Sequence, residues 1–297
     1  MRRHWLCAFL ILLNSLLAAA GEVAAPDKTL LPSEAEKASR DLFLFQARYT
    51  GESDFEREGL GSQSAFSLLL DYGHRFRIGG QWFLRAGFGY ERSDFGVSRA
   101  PVPTKLQSLY GTLAVEYVMY DYAGAALELH PGFYFENDLR AETFDIPWNL
   151  FVTIPISKKL YGVIGAASAA FYEYPVIPIV GAIWLITDKS RLEAIFPRAS
   201  LVYNKSDDWE FRIVGEAYGG AYRVDRSPSE NPRLRNAILQ YEEYRIGAQT
   251  TYSRFKPFNL VLGAGYTFQR NFNFHRAGQE FKTEGAPFVN LALEAKF

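Results

Sequence analysis

From residue 41 onward, large apolar residues recur at every second position in runs of about 10 to 16 residues, separated by clusters of Gly, Asn, Asp, Pro and Lys. Between residues 80 and 91, Trp82, Leu84, Ala86, Phe88 and Tyr90 share one parity, while Arg85, Gly87, Gly89 and Glu91 share the other. Alternate side chains of a strand point to opposite faces, so each run makes a strand with one oily face and one polar or small face. The division repeats at 65–72, where Phe66, Leu68 and Leu70 oppose Ser67 and Asp71, and at 144–154, where Leu150, Val152 and Ile154 oppose Asn149 and Thr153. In later runs Arg212, Glu216, Glu243, Arg245 and Gln269 take the polar parity.

A soluble sandwich or propeller and a membrane barrel both produce this alternation. Length separates them. Soluble strands cluster near 5–6 residues, whereas these runs reach the 9–11 residues that cross a bilayer at the usual tilt. Aromatic residues sit at run ends, as in Trp82 and Tyr117, where interfacial girdles belong. The expected fold is an all-β, antiparallel transmembrane β-barrel over residues 41–297. Thirteen runs can be counted, but single-chain bacterial barrels have even strand numbers with both ends in the periplasm. One proline-containing run between 143 and 204 is therefore expected not to span by itself, giving 12 strands, with 10 or 14 as alternatives. The connections near 51–61, 95–104, 225–237 and 274–286 read as extracellular loops. A pair of membrane helices at 160–187, which carries Glu173 as its one charge, is broken by Pro175 and Pro178.

Ahead of the barrel, Arg2 and Arg3, an apolar stretch to Leu17 and Ala18–Ala20 have the order of a cleaved signal peptide at 1–20, with cleavage near Ala20. Residues 21–40 hold no aromatic residue and two prolines, and read as a flexible periplasmic segment. Cys7 lies in the signal, so disulfides are excluded from the exported chain. The 32 basic and 33 acidic residues leave no basic excess for a nucleic-acid partner. The last run places Val289, Leu291, Leu293, Ala295 and Phe297 on one face. A terminal aromatic on an alternating strand resembles the sorting signal that the barrel-assembly machinery reads in bacterial outer-membrane proteins, so that machinery and outer-membrane lipid are the expected partners in a Gram-negative-type envelope.

Residues 180–224, with Trp184, Phe196-Pro197, Asp208-Trp209 and the run Gly219-Gly220-Ala221-Tyr222-Arg223, resemble a family of exported barrel proteins known only as a domain of unknown function. The resemblance implies an outer-membrane barrel and brings no catalytic residue, ligand or cofactor.

Chemistry is sparse. Three histidines follow the signal, His74, His130 and His275, and no local Ser, Asp or Asn spacing marks any of them as a catalytic base. With no His pair at ligand spacing and no Cys, neither a metal nor another cofactor is expected. What remains is the polar face, where Arg85, Glu91, Glu116, Glu128, Glu193, Arg212, Glu216 and Arg245 would line the lumen. Charged linings can select small polar or ionic solutes in a narrow channel. The same charges can instead pair across strands and fill the lumen, leaving a closed envelope barrel. A lipid-acting barrel enzyme is the third reading, and a non-enzyme is expected.

Overall fold

The computed structural model describes residues 40–120, 123–171, 176–225 and 234–297. The expected signal peptide and nearly all of the 21–40 segment lie outside the described residues. Fourteen antiparallel strands close on themselves. They are β1 (Arg40–Asp54), β2 (Ser62–Gly79), β3 (Trp82–Phe95), β4 (Lys105–Tyr120), β5 (Ala123–Leu129 and Gly132–Phe135), β6 (Phe144–Asp145 and Trp148–Ser157) and β7 (Leu160–Ser168). The second half comprises β8 (Ile177–Leu185), β9 (Ser190–Ile195), β10 (Arg198–Ser206), β11 (Trp209–Arg223), β12 (Ile238–Tyr252), β13 (Phe258–Phe274) and β14 (Gln279–Thr283 and Ala286–Lys296). Each strand pairs with the next, and β1 closes on β14 through pairs such as Phe45↔Leu293. Closure leaves no open sheet edge at membrane level, where an unsatisfied backbone group is expensive.

The count of 14 corrects the expectation of 12. His130-Pro131 and Ile146-Pro147 only interrupt β5 and β6, because proline withholds a ladder donor without ending the strand. The 190–204 run is two strands. Ile195 pairs with Arg198 around Phe196-Pro197, and the inward parity changes there from Arg191 and Glu193 to Ser200 and Val202. That parity switch was readable in the sequence, and counting the run as one strand conceals it.

Apolar residues of the outer parity are exposed throughout, including Phe88, Leu113, Ile164, Val180, Ile213 and Val289. This surface suits hydrocarbon and not water. The start of β1 and the end of β14 meet at one rim, where Asp41 and Phe297 exchange backbone hydrogen bonds of 3.2 and 3.0 Å. Aromatic pairs band the same rim: Trp82 with Tyr117 at 4.8 Å, Trp209 with Tyr252 at 4.6 Å, and Phe258 with Phe297 at 5.9 Å between ring centroids. Among the described residues no helix is long and apolar enough to cross a membrane.

The wall is uneven. β2 has 18 residues, while β9 has six. The long strands β1–β4 and β11–β13 continue above the short ones and converge at the far rim, where Arg223 of β11 bridges Phe135 of β5 across the mouth. Aromatic and aliphatic side chains including Phe55, Phe95, Leu106, Tyr222, Tyr241, Phe272 and Phe281 fill this upper storey. Close approach in the low wall needs glycine, since a Cβ on Gly165 would collide with the carbonyl oxygen of Leu150.

One parity expectation fails within β13. Between Tyr244↔Gln269 and Arg245↔Thr267 the ladder shifts by a residue, making Phe268 the extra residue of a bulge. Gln269 therefore takes the outer parity and Arg270 turns inward.

Candidate functional site

The interior is the candidate site, and it contains three ion-pair networks. On β2–β5, Arg85 reaches Glu116 at 3.0 Å and Glu128 at 2.8 Å, and Arg75 holds the second oxygen of Glu116 at 2.8 Å. His130 contacts Glu128 at 3.1 Å, and Tyr110 donates to Asp71 at 3.2 Å. On β9–β11, Glu193 receives Arg191 at 2.5 Å, Ser200 at 2.7 Å and Arg212 at 3.2 Å, and Arg212 also reaches Glu210 at 3.2 Å. The third network joins β1, β10, β11 and β12. In it Glu216 takes Arg245, Arg198 at 3.6 Å and Arg48 at 3.7 Å, while Arg245 reaches Glu243 at 3.1 Å. The guanidiniums of Arg48 and Arg245 both lie over the ring of Tyr218, at 5.5 and 4.4 Å.

Seven of the eight residues picked from the sequence thus join networks: Arg85, Glu116 and Glu128 in the first, Glu193 and Arg212 in the second, Glu216 and Arg245 in the third. The eighth, Glu91, lines a small recess with Gln46, Arg48, Ser67, Leu69, Tyr218 and Arg245. Arg48, Arg75, Arg191, Arg198, Glu210 and Arg270 were missed. Parity within each run would have found Arg48, Arg75, Arg191 and Glu210, whereas the parity switch at Phe196-Pro197 hides Arg198 and the bulge at Phe268 hides Arg270.

One sector of the inner face is apolar. Tyr161, Val163 and Ala167 of β7 pack with Ile179 and Ile183 of β8 and Ile195 of β9, flanked by Phe151 of β6. Ile183 and Val202 have no exposed surface, and Glu193 and Arg245 are only 2% and 4% exposed. Arg85, Glu116 and Glu128 of the first network stay partly exposed.

At the mouth, the loop after β5 clasps the loop after β11. Asp225 accepts Asn137 Nδ2 at 2.9 Å and the Asp138 backbone N–H at 3.1 Å, and its own N–H donates to Glu136 at 2.9 Å. Arg140 donates to Asn236 and to the Val224 carbonyl at 3.2 and 3.1 Å. Burial pushes the Glu136 carboxyl above its ordinary range, partly offset by the Asp225 N–H.

The histidines give no hydrolytic site. Glu128, His130 and Thr112 stand in the order carboxylate, imidazole, hydroxyl, but Thr112 Oγ1 is 3.5 Å from the ring, at the limit of a hydrogen bond, and is buried. His74 pairs with Asp41 at 2.9 Å near the rim where β1 begins, and His275 lies in a short turn after β13. Among the described residues no group of three or more His, Cys, Asp and Glu is placed to hold a metal.

Residues 149–293 match the family described as Domain of unknown function (DUF6268), and the 180–224 stretch lies inside that match. No curated protein sequence matches the chain. Among solved structures, the COG4313 outer membrane channel from Pseudomonas putida F1 is 11% identical, with 88% of this chain and 95% of that one aligned at a TM-score of 0.48. A TodX monoaromatic hydrocarbon channel mutant is 8% identical over 93% of both chains at 0.47. The translocator domain of the autotransporter NalP from Neisseria meningitidis is 10% identical over 88% of both chains at 0.42. Such remote likenesses carry no substrate or activity to this chain. By fold the chain is a 14-stranded antiparallel β-barrel with an apolar outer face, and by sequence it resembles, over just under half its length, a family described only as a domain of unknown function.

Proposed function

We propose that this protein is a closed barrel of the outer membrane, an envelope component with no standing pore. The observation that carries the reading is the filling of the interior: cross-strand ion pairs over part of the inner face, apolar side chains over another part, and an aromatic core under the bridged mouth. The exposed Phe297 at β14's end, edge-on to Phe258, supports delivery by the barrel-assembly machinery into outer-membrane lipid. The test is single-channel conductance of the refolded mature protein in a planar bilayer. A heat-modifiable but electrically silent protein is expected, and discrete reproducible steps would overturn the reading.

A narrow channel for small polar or ionic solutes is the second reading, favoured by the recess beside Arg48, Glu91 and Arg245. It requires the Glu136–Asp225 clasp to open. Under it, conductance appears in a D225A variant, and R245A changes the ion selectivity of those steps.

A further inference from the structure

The strand ladder breaks above the β9–β10 hairpin. That hairpin turns early, at Phe196-Pro197, so β8 pairs with β9 only over residues 181–185 and β11 pairs with β10 only up to Glu216. Residues 177–180 of β8 and 217–222 of β11 are the two edges of the break, and it closes at its top where Arg223 meets Phe135. Alternate residues of β11 turn their backbone groups toward it. The Ala217 N–H donates to the Pro197 carbonyl at 3.0 Å, and the Arg223 carbonyl accepts the Glu136 N–H at 3.3 Å. Gly219 and Ala221, between them at the same parity, have no ladder partner on that side among the described residues. On the opposite edge stands Pro178, whose missing N–H leaves one donor fewer to satisfy.

Unpaired strand backbone beside a bilayer has to be covered. Gly219 and Ala221 are indeed buried, although their parity is outward. The helical turn Ala141–Thr143, in the loop after β5, packs on β11 there. Arg223 donates to the Glu142 carbonyl at 2.8 Å and lies 5.1 Å over the ring of Phe171, which comes from the loop after β7. Phe171 holds a φ of +52°, a left-handed backbone that costs a non-glycine residue energy, and its N–H is pinned by Asp145 at 2.7 Å. The ties on this cover are polar, and Leu139 and Glu142 stay exposed. Segments with few buried apolar contacts open at a fraction of the global unfolding free energy. We propose that residues 136–143 and Phe171 form a hinged strap over the break, which swings away while the barrel stays folded and opens the wall sideways between β8 and β11. Such an opening joins the interior to the bilayer and not one face of the membrane to the other, so it goes beyond the closed-barrel reading and is separable from conductance.

The test is thiol labelling of the refolded mature protein in detergent, where Cys7 is gone and an introduced cysteine is alone. A221C places a thiol beneath the strap, and I183C places one without exposed surface where β8 is paired on both sides. N-ethylmaleimide should label A221C and spare I183C, and R140A/F171A should speed the first alone by about tenfold through loss of the hydrogen bonds to Asn236 and Val224 and of the ring under Arg223. Protection of A221C equal to that of I183C, no acceleration by R140A/F171A, or equal acceleration at both sites would overturn the strap. If a variant does not fold, hydrogen exchange of the wild type decides. Amides of 136–143, Gly219 and Ala221 should exchange ahead of those of β11 below Glu216, and exchange in step with them would overturn it equally.

Discussion

On the inner face of β3–β5 the barrel sets Arg85 between Glu116 and Glu128, all three partly exposed, and a few strands further round it buries Val163, Ile179 and Ile183 against one another. Both patches fill the interior, yet they respond differently to loss. The ionic patch is stable only as a set, since each charge is compensated by its partners and removing one strands the others. The apolar patch loses stability in proportion to the atoms removed.

The sharpest test of that difference is Arg85→Ala. It leaves Glu116 beside Arg75 and Glu128 beside His130, without the cation that joins them. We expect a loss of about 3–5 kcal/mol in urea unfolding followed by heat-modifiability in gels. Replacing all four groups at once, as R75M/R85M/E116Q/E128Q, should recover most of that loss, because none of the four charges is then stranded. If the quadruple variant is as unstable as the single one, the patch contributes attraction beyond its desolvation cost and the contrast with the apolar wall fails.

Ile183→Val should cost roughly 0.5–1.5 kcal/mol in the same assay, the removal of one methyl group from a site with no exposed surface. A cost near zero would mean that the low wall closes up around the change, so that the two patches differ in stiffness as well as chemistry.

Much of this contrast was legible in the sequence. Period-2 alternation gave the strands, the outward face and seven of the network residues, because a closed sheet with lipid outside forces each parity to one side. What escaped was whatever breaks parity locally. Phe196-Pro197 turns one run into two strands, and Phe268 shifts a single strand so that Arg270, counted as outward, lies at its centre. The apolar patch escaped for another reason: residues 160–187 are apolar on both faces, so their pattern cannot say which side meets lipid. Pairing between distant loops, as in the mouth clasp, leaves no periodic trace at all.

That clasp gives the smallest expected effect. Burial raises the Glu136 carboxyl, with Asp225 and Asp138 nearby acting in the same sense and Lys105 and the Asp225 N–H against it. The folded protein therefore binds this proton more tightly than the unfolded chain. The contribution is fully present below the ordinary glutamate value, about 4.3, and is lost as pH rises through the higher folded value. Stability measured across that interval should decline with pH by this group's share. Glu136→Gln keeps an acceptor for the Asp225 N–H and removes the titration, so its curve should be flatter than wild type and cross nothing else in the barrel. An unchanged slope would mean that the clasp stays wet enough for Glu136 to titrate as it does in the unfolded chain, so that the mouth would share the partial wetness of the Arg85 network and not the dryness of the apolar wall.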